Sequence, residues 1–299
     1  MGNNIATQQD DLEFITRLAA QRRLYSIAKN IFATQFALSA SVVFFAILFP
    51  QLSLAATVFI LIFGLLGSTT FPLTISKYKE KAASIQEEID CKLLKIPWHN
   101  DLVSTPCVWD IQKYSQKLLN NDKKKKKLFN WYEDIPGDLT YSSARIICQR
   151  YNLMWDIDLR MAFSLLVKIV AAFIVLVVAY ANKNVVGEKI ILNIIVPACP
   201  IIVFTLKQHI DNKNAVEKMK DLKIQLDLLW NDLLSFKYSD KELESRSRSV
   251  QDMIFWYRKG NPLIPDWFSF INNERQQNIA SNTVLHLTRQ YRSALEQNG

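Results

Sequence analysis

Two stretches of this 299-residue chain concentrate arginine, aromatic and amide side chains. One, ARIICQRYNLMWDIDLR, spans Ala144 to Arg160; the other, FWYRKGNPLIPDWFSF, spans Phe255 to Phe270. A guanidinium grips phosphate oxygens through paired hydrogen bonds. Aromatic rings stack on bases, and amide side chains read base edges. A nucleotide ligand fits this kit. The candidate binding residues are Trp131, Tyr132, Arg145, Arg150, Trp256, Tyr257, Arg258 and Lys259. The same residue types also serve as core aromatics and as arginines paired with nearby acids, and for any single one of them that role is the commoner.

Other chemistries find no matching pattern. Glycine is scarce, 7 in the chain, and there is no Gly-rich phosphate loop. Cys91, Cys107, Cys148 and Cys199 show no CxxC spacing, and His99, His209 and His286 are far apart, so no metal site is expected and the thiols read as reduced. No GxSxG or HExxH motif supports a hydrolase, so an enzyme is not expected. The net charge of +8 is spread along the chain, densest at Lys123 to Lys127. That run reads either as a solvated loop or as a contact with anionic lipid headgroups. No aromatics interleave it, which argues against DNA or RNA as a partner.

The elements that must position these residues divide sharply by polarity. About 20 apolar residues cross a bilayer as a helix. Ile31 to Phe49, Leu52 to Ile75, Met161 to Ala181 and Ile190 to Leu206 approach that length; Pro197 and Pro200 should kink the last. The fold class expected is an all-α membrane protein, with four transmembrane helices in two hairpins and a helical cytoplasmic domain. Its parts are a cytoplasmic segment 1–30, hairpins 31–75 and 161–206, and cytoplasmic helical regions 76–160 and 207–299. Lysine and arginine flank the outer ends of each hairpin: Arg22, Arg23 and Lys29, then Lys77, Lys79 and Lys81, then Arg150 and Arg160, then Lys207 and Lys213. The hairpin tips carry only Lys183 and Lys189, so both termini should be cytoplasmic. Gly64, Gly67 and Ser68 would allow close helix packing, within the chain or between subunits.

Ile85, Ile89, Leu93 and Ile96, and then Val216, Met219, Leu222, Leu226, Leu229 and Leu233, recur at helical spacing. Both sets predict amphipathic helices that prolong membrane helices into the cytoplasm. Each half also holds a Trp-Tyr pair before a proline, Trp131-Tyr132 before Pro136 and Trp256-Tyr257 before Pro262, which suggests a loose duplication.

At Cys148-Gln149, Asn152, Trp155-Asp156, Leu159-Arg160, Trp131-Tyr132 and RKGNPLIPDWF (Arg258 to Phe268), the chain resembles the four-transmembrane effectors associated with SMODS nucleotidyltransferases of bacterial anti-phage signalling. The layout of two hairpins, each followed by a charged helical region, is similar too. The resemblance implies a partner nucleotidyltransferase that makes a cyclic oligonucleotide on infection. It also implies an effector that damages or permeabilises the inner membrane, so that growth stops or the cell dies. The expected ligand is a cyclic di- or trinucleotide, with no further cofactor. The expected action is a homo-oligomeric, ligand-gated pore; a non-conducting scaffold that disrupts the bilayer is the alternative, and a membrane-bound hydrolase a more distant one.

Candidate pore or gating residues are Lys168, Arg160, Gly64 and Pro197. Lys168 lies eight residues beyond Arg160, about 12 Å along a helix. It would either snorkel to the headgroups or face water in a pore. No Asp or Glu lies in the four apolar segments to neutralise it, so a ring of such lysines would favour anions.

Overall fold

The computed structural model describes residues 2–49, 58–59, 62, 70–132, 135–181 and 196–298. Among them the regular elements are all helical, as the absence of strand alternation in the sequence predicts. The long helices are α1 (Leu12–Leu48), α2 (Thr70–Leu93), α3 (Val108–Leu119), α4 (Tyr141–Ala181), α5 (Val196–Leu234), α6 (Asp240–Gly260) and α7 (Asp266–Asn298). Single turns at Ile5–Gln8, Asp122–Lys125 and Lys126–Leu128 connect them.

Two antiparallel pairs organise the chain. Arg17 meets Glu88 at 2.8 Å and Gln21 meets Gln86 at 3.2 Å, so α1 and α2 run in opposite directions. Arg150 meets Asp227 at 2.7 Å, Arg160 meets Asn212 at 3.2 Å, and Ser164 meets His209 at 2.7 Å, so α4 and α5 do the same. The apolar positions read from helical spacing in α2 and α5 are all buried, in one core with α4 and α6. Helix ends follow local chemistry. Ser239 and Glu242 form a reciprocal capping box at the start of α6. Past the end of α2, Lys95 adopts a left-handed φ of 53°, and Ile96 closes back onto the carbonyl of Cys91.

The membrane-facing part is clearest in α4. Among the described residues one helix, Tyr141–Val177, is long and apolar enough to cross a bilayer. Only 11% of its most apolar window is covered by the rest of the chain, which is unlike a core helix of a water-soluble protein. The Ala144 to Arg160 stretch and the third apolar segment are one continuous helix. α1 likewise carries the first apolar segment and begins at Leu12, so most of the 1–30 segment is already helical. Gly64, Gly67, Ser68 and both hairpin tips lie outside the described residues. Pro197 stands in the backbone of α5 at the edge of what is described, so the expected kink falls at that edge.

The suggested duplication is corrected. Trp131 and Tyr132 sit in a turn that leads towards α4, whereas Trp256 and Tyr257 belong to the last turns of α6. The two Trp-Tyr pairs are not structural counterparts.

Candidate functional site

The turn at 131–132 lies over the α1–α2 pair and closes a cavity of about 90 Å³. Arg22 and Gln21 come from α1, Gln86 and Asp90 from α2, and Trp131 and Tyr132 from the turn. The Arg22 guanidinium carbon lies 5.7 Å from the centre of the Trp131 ring. Its Nη1 donates to the carbonyl of Lys127 at 2.7 Å. Among the described residues no carboxylate comes within ion-pair distance of it. Burial lowers its pKa, an effect only partly offset by the field of Asp266. A guanidinium that is charged, partly desolvated and, among the described residues, without an ion-paired carboxylate, beside an indole face, is an anion-binding arrangement.

The aromatics around it form one cluster. Trp131 and Trp155 have ring centres 6.0 Å apart, Tyr151 stacks on Trp155 at 5.7 Å, and Tyr132 meets Tyr151 edge-on at 5.9 Å. The Asn152 amide donates to the buried Tyr132 hydroxyl at 2.6 Å. The turn is fastened to the N-terminal segment. The Tyr132 amide donates to Gln9 at 2.6 Å and the Asn130 amide to Asp10 at 3.0 Å. Asn3 donates to the carbonyls of Pro136 and Leu139.

Asp90 connects the cavity wall to a buried polar network. It accepts from Arg258 Nη1 at 2.5 Å and from Gln251 at 3.0 Å. Gln251 also donates to Glu87, which accepts from Arg248 at 2.6 Å. Burial by itself would lower the pKa of Arg258, but Asp90, Tyr132 and Glu87 outweigh it and hold the group above its ordinary value. Burial dominates at Glu87 and raises its pKa despite Arg248.

Arg258 leads directly into the turn between α6 and α7, and here the polar-flanked ends of the apolar segments converge. Lys79, just past the second segment, donates to the carbonyls of Gly260 and Asn261 at 3.1 and 2.6 Å. Arg160, at the entry to the third, donates to the Pro262 carbonyl at 2.7 Å and to Asn212 of α5 at 3.2 Å, and pairs with Asp156. Asp266 accepts from Ser26 and Lys29, just before the first segment. The 260–266 turn therefore acts as a clasp on all four apolar helix stems.

The remaining candidates lie elsewhere. Arg145 is buried and donates to the carbonyls of Leu94 and Lys95 at 2.9 and 3.0 Å, satisfying groups left open past the end of α2. Arg150 pairs with Asp227 and ties α4 to α5. The Tyr257 hydroxyl donates to the Lys218 carbonyl at 2.8 Å. Trp256 is half exposed, with Lys259 over its ring at 5.4 Å, and Lys259 pairs with Glu80. None of these five lines the cavity. Lys168 is exposed on α4, one turn beyond Ser164, with no ion pair among the described residues.

Two other places have chemical potential. An open groove of about 560 Å³ between the far ends of α5 and α7 is lined by Arg289, His286 and several amides, but by no Trp, Tyr or Phe for stacking. Ser164 and His209 form a hydroxyl–imidazole contact. No carboxylate orients the imidazole among the described residues, and the backbone N–H groups around Ser164 lie in the middle of a helix, so no oxyanion donors face it. Among the described residues no cluster of His, Cys, Asp or Glu could hold a metal.

Arg22 and Gln21 were not singled out by sequence reasoning, where Arg22 counted only as part of the basic flank of the first segment. The signal available was a guanidinium one turn from Ser26 and two from Lys29, on a helical face that now meets Asp266.

Comparison with known proteins agrees with this architecture. The profile of the SMODS-associating 4TM effector domain matches residues 3–286. A Bacillus cereus (strain VD146) protein named "Probable CBASS effector molecule" is 28% identical over 306 aligned positions, covering 94% of this chain and 97% of its own length. No solved structure matches. The matched span takes in both arms of the cavity, the clasp and every apolar segment, and the chain belongs to the SMODS-associating 4TM effector family.

Proposed function

We propose that this chain is a cyclic-oligonucleotide-gated effector of the bacterial inner membrane. It crosses the bilayer four times with both termini in the cytoplasm, and it assembles as a homo-oligomer to conduct ions. A SMODS nucleotidyltransferase supplies a cyclic di- or trinucleotide. The observation that carries this reading is Arg22, which has no ion-paired carboxylate among the described residues, facing Trp131 in a cavity whose Asp90 wall is tied through Arg258 to the clasp.

The cavity is far below the ~300–1,000 Å³ of ordinary ligand sites, and on this reading the structure corresponds to a closed form. Ligand phosphate would replace the Lys127 carbonyl on Arg22, and a base would enter between Trp131 and the α1–α2 pair. That requires the 127–132 segment to lift away from Gln9 and Asp10. Any change at Asp90 reaches Arg258, and the clasp begins two residues later. Because Lys79, Arg160 and Lys29 each tie a different helix stem to that turn, a small displacement of the turn moves the stems together. The ligand then shifts a closed–open equilibrium by its greater affinity for the open form.

Ion conduction follows from assembly, since four helices enclose little space alone. Lys168 supplies the only charge read within the four segments, and a ring of them would prefer anions. The test is ion flux from full-length protein in liposomes, with and without cyclic dinucleotides and trinucleotides. Ligand-dependent flux of small ions supports the pore. Release of large dyes along with ions would make the chain a membrane disruptor, and binding without any flux would make it a scaffold.

A further inference from the structure

The start of α7 carries large apolar side chains left mostly exposed among the described residues. Trp267, Phe270 and Ile271 share one face at helical spacing and are 56%, 67% and 70% exposed. One turn further on, that side of the helix turns charged, with Glu274 and Arg275 exposed. The apolar patch is thus confined to the end of α7 nearest the apolar segments.

Three contacts fix the level of that end. Asp266 is held by Lys29, two residues before the first apolar segment. The Phe268 ring lies 5.3 Å from Phe163, near the start of the third segment. Phe268 and Ile264 are buried with Leu159 and Phe163, and Leu166 and Val167 pack against them. The outward face of α7 therefore continues the surface of α4 at the cytoplasmic boundary of the bilayer. Cationic groups rim the patch. Lys127 Nζ lies 4.5 Å over the Phe270 ring, and Lys123, Lys124 and Lys126 next to it are exposed.

We infer that the first two turns of α7 are an interfacial anchor. Trp267, Phe270 and Ile271 lie in the headgroup layer of the cytoplasmic leaflet, and the 123–127 lysines engage anionic phospholipid there. The indole at this level has the chemistry of the aromatic belts at membrane boundaries, and lysines beside it gain from the negative surface potential of that leaflet. The anchor rests on the chain spanning a membrane and not on nucleotide binding, so it stands or falls separately from the ligand site. Its place beside Lys127 also sets the segment over the cavity against the lipid surface.

The test uses full-length protein in phosphatidylcholine vesicles, with and without phosphatidylglycerol. Exposed Cys107 and Cys199 are changed to serine. A polarity-sensitive fluorophore is attached at Ile271→Cys or, two turns on along the same face, at exposed Asn278→Cys. At 271 the expected result is blue-shifted emission and strong quenching by lipid spin-labelled near its headgroup. Aqueous iodide should quench there several-fold less than at 278, with the contrast growing when phosphatidylglycerol is present. As an independent readout, brominated lipid should quench wild-type tryptophan emission more than that of Trp267→Phe. Equal iodide quenching at 271 and 278 overturns the anchor. Protection at 271 that follows protein density and not spin-labelled lipid also overturns it, by making the patch a contact between copies. An iodide response identical in both lipid mixtures overturns the anionic-lipid assignment.

Discussion

Arg22 and Arg258 make opposite demands on the fold, and replacing each with glutamine separates binding from stability. Arg22 gives up one hydrogen bond to the Lys127 carbonyl and its place over Trp131, and among the described residues leaves no ion-paired carboxylate behind. Its stability cost should be that of one modest contact, about 0.5–1.5 kcal/mol. Its binding cost is larger. A lost charge-assisted contact to phosphate is worth about 1.5–3 kcal/mol, or roughly 10- to 150-fold in Kd. Arg258 is the reverse. Its removal strands Asp90 in a buried network that already contains Glu87. Breaking a buried pair from one side costs about 3–5 kcal/mol. Calorimetric titration of cyclic nucleotide, with thermal unfolding of the same detergent-solubilised samples, reads both quantities. Arg22→Gln should unfold near wild type yet bind weakly, and Arg258→Gln should unfold at much lower temperature. Normal nucleotide affinity in a folded Arg22→Gln protein would refute the placement of the site.

Burial pushes the Lys79 ammonium down to about 8 from an ordinary 10.5, with Arg160 adding to the shift. The unfolded chain then holds that proton where the folded chain has lost it, so the Lys79 contribution to stability should rise as pH climbs from 8 towards 10.5, by about 3 kcal/mol in all. Burial raises the pKa of Cys91, Cys148, Tyr25 and Tyr132 and so draws stability down above about pH 9. The Lys79 part is read as a difference: thermal stability of wild type should fall less steeply across that range than that of Lys79→Met. Arg145→Ala should expose the Leu94 and Lys95 carbonyls and destabilise by about 1–3 kcal/mol without altering nucleotide affinity, as titration of the folded fraction would reveal. Lys168→Glu should move the reversal potential under a chloride gradient towards cation preference. A cation-selective wild type, or a variant with unchanged selectivity, would remove Lys168 from the pore.

The helical architecture was legible because its signals are local. The spacing of Ile85, Ile89 and Leu93 names a buried face whatever that face meets. The join of the Ala144 to Arg160 stretch to the third apolar segment was equally plain, since no helix breaker intervenes. The site was only half legible. Trp131, Tyr132 and Arg258 were named from composition, but the cavity forms where residues around 22, 90 and 131 meet, and no short motif records that meeting. Arg145 and Arg150 looked like ligand residues because guanidinium chemistry suits a phosphate and a carbonyl alike. Their partners, Leu94, Lys95 and Asp227, come from distant elements that only the packing of α2, α4 and α5 brings close.

The clasp has a consequence for synthesis. Its backbone carbonyls belong to Gly260, Asn261 and Pro262, which leave the ribosome after every apolar segment. Until then Lys79 lacks the carbonyls that hold it, and the first and last apolar segments meet only through direct packing such as that of Phe32 and Phe36 on Phe204. Chains not yet extended through residue 262 therefore lack this tether, and the stems are clasped only once its three carbonyls have emerged. A chain truncated before residue 260 should leave the Lys79 amine open to acylation, whereas the released full-length chain should protect it. Order of emergence, and not contact strength alone, then decides when this protein becomes a closed, responsive unit.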